Sequence, residues 1–218
     1  ALTADPDVTE PLAAFLDRAR VEVDAALERW LPKPPACPEI ISQAMRYSVF
    51  AGGKRLRPVL TLAAAEAIDP GAVAVALPAA CAIEMIHTYS LIHDDLPAMD
   101  DDTLRRGRPT LHVVFGDGVA ILAGDALQAE AFALLAREPQ SADPALAARK
   151  LRAIAAIAEA AGANGMVGGQ TIDLQAAGQA AGRSVTLDAD GLRGMHLRKT
   201  GALVQAAATS GAIMAGGD

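Results

Sequence analysis

Aromatic residues are scarce in this sequence: one tryptophan, two tyrosines and four phenylalanines among 218 positions. β-Branched runs bounded by turns are also few, whereas alanine is abundant, which favours helix over sheet. There are only two cysteines, Cys37 and Cys81, in proline-rich or apolar settings without metal-ligand spacing. They read as reduced thiols and give a cytoplasmic expectation rather than a disulfide scaffold. Positive charge is in deficit: 19 Lys and Arg face 26 Asp and Glu, for a net charge of −7. That argues against a general nucleic-acid surface, so an anionic ligand would need local cations or a metal. No apolar run reads as long and clean enough to span a bilayer. Residues 71–86 are interrupted by Pro78 and Glu84, and 201–217 is mostly Ala and Gly with Gln205, Thr209 and Ser210. The N-terminus, "ALTADPDVTE", lacks the basic start of a signal peptide.

What is present is a chain 52% hydrophobic and 21% charged, enough for a real core in one domain spanning residues 1–218. Residues 7–31 read as an amphipathic helix with Val8, Leu12, Phe15, Leu16, Val21 and Val23 among its apolar positions. "LPKPPACP" (31–38) is a stiff connector. A helix near 39–51 ends at Gly52-Gly53, Pro58 suits the first turn of the next, and Pro78 opens another through about Leu96. That last helix is apolar nearly all round, as a central helix should be. Further helices are expected near 117–137, 143–162 and 187–214, with a Gly-rich break at 162–169 and a flexible loop at 175–184.

The chemistry concentrates at the end of the central helix. "HDDLPAMDDDTLRRGR" places Asp94, Asp95, Asp100, Asp101 and Asp102 beside Arg105, Arg106 and Arg108. His87 and Asp94 are seven residues apart, nearly two helical turns, so they share a face about 10 Å apart along the axis. Pro97 cannot donate the next backbone bond, and a bend there would return Asp100 to the first pair. Clustered carboxylates repel one another unless cations intervene, and hard oxygen donors suit Mg²⁺ together with phosphate oxygens. A solvated acidic cap is the plainer alternative, but the buried histidine-bearing helix and the arginine pair favour a ligand site. "GGKRLRP" (52–58) adds Lys54, Arg55 and Arg57 near a helix start, where backbone N–H groups and guanidinium forks favour phosphate. Two anionic ligands are implied, one held through metal and one by direct cationic contacts.

"GGKRLRP", "EMIHTYSLIHDDLPAMDDDTLRRGRPTLH", "GMVGGQTIDL" and "RKTGAL" resemble, in order, the landmarks of short-chain trans-prenyl diphosphate synthases. The resemblance is nearest to bacterial farnesyl diphosphate synthases, with geranylgeranyl synthases close by. It implies an all-α isoprenoid-synthase bundle around a central apolar cavity. It also implies Mg²⁺-assisted ionisation of an allylic diphosphate, dimethylallyl or geranyl, and joining of the cation to isopentenyl diphosphate. By position, Asp94, Asp95 and Asp100 match the first aspartate-rich, Mg²⁺-binding motif. Lys54, Arg57, His87 and Arg106 match residues that hold isopentenyl diphosphate. Arg105, Lys199 and Thr200 match the allylic-diphosphate grip, with Gln170 in the same region. Asp173 reads equally well as an ordinary helix polar, and His93 and His112 as structural. A homodimer is expected on the same ground. Lys54, Arg57 and Arg106 argue against a class I terpene cyclase, which has no use for a second diphosphate site.

The family also carries a second aspartate-rich segment beyond the Lys-Thr pair, and this sequence stops at "GAIMAGGD" before one appears. The expectation is therefore a fragment lacking the C-terminal part of the bundle, inactive by itself, with a noncatalytic subunit as the lesser alternative. Product length is expected to depend on Tyr89 and Ser90, five and four positions before Asp94. They lie about 6–7.5 Å deeper along the helix, comparable to one or two isoprene units. Tyr89 is bulky enough to act as a floor, which favours the fifteen-carbon farnesyl product over geranylgeranyl diphosphate; small Ser90 should not block.

Overall fold

The structure is a computed structural model that describes residues 11–217. Its frame is helical: α1 (Leu12–Trp30), α2 (Glu39–Val49), α3 (Leu56–Ile68), α4 (Val73–Asp94), α5 (Leu111–Phe115) and α6 (Asp117–Arg137) precede α7 (Pro144–Ala161), α8 (Met166–Ala176), α9 (Ala189–His196) and α10 (Ala202–Ala215). A two-residue antiparallel ribbon, β1 (Leu104–Arg105) with β2 (Arg108–Pro109), pairs Arg105 with Arg108. The all-α expectation holds. Helix α4 is the axle, packed against α3, α6 and α10 and touching α1, α2 and α7. From Ala76 through Ile86 every residue on it is buried, and all are apolar except Glu84, whose charge is met by Arg55. Close approach is achieved with glycine. A Cβ on Gly211 of α10 would overlap the Thr61 carbonyl oxygen of α3, and one on Gly169 of α8 would overlap the backbone of Lys199.

Several expected boundaries shift. Residues 7–10 of the first expected helix, with Val8, lie outside the described residues. The buried stripe of α1 is Ala19, Val23, Ala26 and Leu27, whereas Leu12 and Val21, expected on the apolar face, are exposed. Pro78 does not open α4. A 3₁₀ turn at Pro70–Ala72 and five helical residues come before it. Proline therefore costs this helix one donor in its second turn, where dense packing on neighbouring helices outweighs the loss. The Gly-rich stretch at 162–169 is not a plain break, because α8 starts inside it, where small residues let it cross the Lys199 backbone. The helix expected over 187–214 is divided by a π-helical turn, Leu197–Gly201, that carries Lys199 and Thr200. Such π-turns are frequent at functional sites.

The membrane expectation also needs correction on length and composition. Two helical segments, Pro70–Asp94 and Asp117–Arg137, are long and apolar enough to cross a bilayer. The first is the buried axle, so Pro78 and Glu84 interrupt it in sequence but not in packing. On the second, Ile121 and Leu122 face outward with Val113 and Val114 of α5.

Candidate functional site

Asp94 ends α4, and the chain then folds back: the Asp100 N–H donates to the Asp94 carbonyl oxygen at 2.8 Å. The bend expected at Pro97 thus brings Asp100 beside Asp94. Burial, reinforced by Asp100 and opposed by Lys199, raises the Asp94 carboxyl to about 6.

Below Asp94 a cavity of about 290 Å³ runs along α4, lined by His87, Tyr89, Ser90 and Asp94 on one side and Met166, Gln170, Lys199 and Thr200 on the other. His87 and Asp94 share this face, as their spacing requires. Among the described residues, Arg57 Nε, the Tyr89 hydroxyl and Gln170 Oε1 are buried without a hydrogen-bond partner, and all three residues line this cavity. Orphaned buried polar atoms are costly and call for an explanation. Their convergence here marks a site built to meet something outside the chain. Tyr89 packs edge-on against His93, with ring centroids 5.7 Å apart. Burial, with a contribution from Asp94, pushes its phenol upward.

A second basin of about 500 Å³ adjoins the first and shares Arg57 and His87 with it. Gly53, Lys54, Arg55, Leu56, Glu84 and Arg106 complete its lining. His87 is depressed to about 3 by burial and by the surrounding arginines, Arg57 first. It is therefore a neutral imidazole among cations. The two-station expectation thus has a physical counterpart in two adjoining basins, one bearing an aspartate and the other mostly cationic.

Two expected roles are altered, and a third residue gains a partner. Asp95 was expected as a third metal ligand, but it is buried and accepts from Arg105 Nε (2.7 Å and 2.9 Å) and Nη2 (2.5 Å). Asp94 lines the cavity, whereas Asp95 lines a small pocket on the Arg105 side. Arg105, expected on the allylic side, is held by Asp95 and, with Tyr47 and Arg108, lines that small pocket, which shares Arg55, Glu84, His87 and Arg106 with the basic basin. Lys199 is not a free cation. Its ammonium meets Asp173 Oδ2 at 2.5 Å, so Asp173 is a site residue whose partner the linear sequence, 26 positions away, did not reveal.

No three His, Cys, Asp or Glu side chains among the described residues converge as a ready-made metal cage. Mg²⁺ needs only one or two carboxylates when phosphate oxygens and water complete its shell, so Asp94 and Asp100 fit it while Asp95 does not.

The arginine ribbon is braced by Tyr47, another residue that sequence reasoning passed over. Its hydroxyl donates to the Pro109 carbonyl oxygen at 2.8 Å, and the Arg108 guanidinium lies 4.7 Å from its ring centre. The Arg106 guanidinium reaches the Gly52 carbonyl oxygen, tying the ribbon to the glycine-rich loop.

The polyprenyl synthetase family model matches residues 38–218. The chain is 46% identical over 207 residues to a farnesyl diphosphate synthase of Geobacillus stearothermophilus, covering 94% of this chain and 65% of that protein. It is 45% identical over 205 residues to a geranylgeranyl diphosphate synthase of Cyanophora paradoxa, again covering 94% and 65%. It therefore spans slightly less than two thirds of each. A solved FPP/GFPP synthase from Zymomonas mobilis superposes with a TM-score of 0.82 at 42% identity, over 95% of this chain and 72% of that one. With the fold, the motifs and the family match in agreement, the chain belongs to the polyprenyl synthetase family and has its all-α isoprenoid-synthase fold.

Proposed function

We propose that the protein carrying this chain joins isopentenyl diphosphate to an allylic diphosphate, dimethylallyl or geranyl, and stops mainly at farnesyl diphosphate. One observation carries the reading: two basins of different charge meet at His87 and Arg57, so two diphosphates can sit side by side. Isopentenyl diphosphate is assigned to the basin of Lys54, Arg57 and Arg106. The allylic partner goes to the cavity of Asp94, Lys199, Thr200 and Gln170. Asp94 and Asp100 would hold Mg²⁺, which when bound neutralises the charge of a diphosphate leaving group. Lys199 would exchange Asp173 for substrate oxygens, and Asp95 would hold Arg105 in place at the rim. The apolar stretch of the cavity excludes water that would otherwise capture an allylic cation.

Tyr89 supports the fifteen-carbon product, since it is bulky and lines the same cavity as Asp94. Relatives of both product classes match the chain equally well, so geranylgeranyl diphosphate is the alternative. A homodimer is proposed through α5 and α6, where Val113, Val114, Ile121 and Leu122 are 44–57% exposed. A cytoplasmic location accords with the unbridged Cys37 and Cys81; no nucleic-acid partner and no membrane insertion are proposed. The test is incubation of the whole protein that carries this chain with Mg²⁺, isopentenyl diphosphate and geranyl diphosphate, followed by phosphatase treatment and chromatography. Farnesol is the expected alcohol. Geranylgeraniol would move the protein to the alternative, and no prenyl alcohol would reject the reading.

A further inference from the structure

"GGKRLRP" presents three basic side chains, and folding divides them. Lys54 is exposed and Arg57 lines both basins, whereas Arg55, at the wall of the basic basin, turns its side chain inward and leaves it 5% exposed. Its guanidinium donates in three directions: Nε to Asp24 Oδ1 at 2.8 Å, Nη1 to Glu84 Oε1 at 2.8 Å, and Nη2 to the Val49 carbonyl oxygen at 2.7 Å. Those acceptors belong to α1, α4 and the end of α2. The Arg55 backbone has φ 50 and ψ 34, the left-handed region that non-glycine residues seldom adopt. The strained corner stands directly between Lys54 and Arg57.

We infer that Arg55 is a positioning residue for the basic basin: clamped to Glu84, Asp24 and the Val49 carbonyl, it fixes the left-handed corner that presents Lys54 and Arg57 to one diphosphate. The inference rests on the reading of that basin as the isopentenyl diphosphate station. A buried ion pair adds little net stability over well-packed apolar side chains, so its value here is geometric. Only a guanidinium fork reaches three divergent acceptors at once, and lysine does not reproduce it. Glu84 serves the basin twice. It sits one helical turn before His87 and lines the same basin, and its charge counters the effect of burial, which lowers the Arg57 guanidinium. Arg55 itself, which burial alone would lower, is held above its usual value by Glu84 and Asp24. The clamp therefore adds a guanidinium beneath the basin together with carboxylates that offset its charge.

The test compares wild type with Arg55→Lys and Asp24→Asn by calorimetric titration with isopentenyl diphosphate and, separately, geranyl diphosphate with Mg²⁺. Thermal melts and steady-state kinetics accompany the titrations. Arg55→Lys is expected to raise the dissociation constant for isopentenyl diphosphate about tenfold or more, and that for geranyl diphosphate less than about threefold. KM for isopentenyl diphosphate should rise by more than kcat falls. Asp24→Asn removes the charge of the half-exposed partner only. It should give a smaller loss in the same direction, and it carries the test if Arg55→Lys does not fold. Equal losses for both substrates that track the drop in melting temperature, or no loss in either, would overturn the inference. A wild type that does not bind isopentenyl diphosphate would overturn the functional reading instead. In that event, inorganic diphosphate as the probe must still bind more weakly to Arg55→Lys for the clamp to stand.

Discussion

The two basins that meet at His87 manage charge in opposite ways. On the cavity side Asp94 has no ion-pair partner among the described residues, and burial together with Asp100 lifts its carboxyl to about 6. On the basic side Lys54, Arg57 and Arg106 gather around a neutral imidazole, and the lining carboxylate, Glu84, is committed to Arg55. The first arrangement is unfavourable until a cation arrives; the second draws an anion directly. On the proposed reading both hold a diphosphate, but only the first provides for neutralising a leaving group. Which substrate ionises is thus decided by where the free carboxylates are, because both substrates carry the same headgroup.

The largest expected effect breaks the acidic side. Asp94→Ala should lower turnover about 10²–10³-fold, the range for losing one group that stabilises transition-state charge, with the circular dichroism of the fold unchanged. Wild-type rate in Mg²⁺ would remove Asp94 from the metal site. Next, the sides should separate by ligand. Lys54→Ala should weaken isopentenyl diphosphate about tenfold or more and the allylic substrate much less, and Lys199→Ala the reverse, as expected for charged hydrogen bonds, because each lines one basin and not the other. Titration of both substrates against both variants reads the pattern, and uniform losses would merge the two stations. A smaller effect on rate, though a visible one on product, belongs to Tyr89→Ala. Opening the cavity floor should shift product from fifteen carbons toward twenty or more, read by chromatography of the dephosphorylated alcohols.

The smallest effect concerns acid. His87 has its folded-state pKa depressed from 6.5 to about 3, so between those values the unfolded chain binds a proton that the native chain refuses. His87 alone therefore lowers stability as pH drops through this window, while Asp94, raised to about 6, takes up its proton in the native chain first and opposes that loss between about 6 and its ordinary 3.8. His87→Asn should remove the destabilising part, so the variant should lose less stability than the wild type on acidification from pH 6.5. Denaturant melts at several pH values measure it, and an unchanged slope would mean that His87 is charged in the native state.

Much of this was legible in the linear chain because its signals are local. Alanine-rich periodicity and Pro/Gly punctuation located α2, α6 and α7 closely, and the seven-residue step from His87 to Asp94 put both on one face. Two kinds of misreading had separate causes. Pro78 and the glycines of 162–169 read as boundaries, since propensity knows nothing of the neighbouring helices that stabilise α4 and α8 across them. Asp95 read as a ligand because it falls in the aspartate-rich motif, although the fold gives its carboxylate to Arg105 while Asp94 lines the cavity.

By itself, then, the sequence determined a helical bundle, an apolar central helix ending in carboxylates, and basic residues sufficient for a second anion. These follow from composition and from spacings shorter than two helical turns. Only the tertiary structure decided that Arg55 is a buried clamp while Lys54 and Arg57 line the basic basin, that Asp95 belongs to Arg105, and that Lys199 rests on Asp173. The partners in these pairs lie 10 to 29 positions apart. Which cation meets which carboxylate depends on how helices cross, and crossings are set by close-packed contacts such as Gly169 against Lys199, which no local pattern encodes.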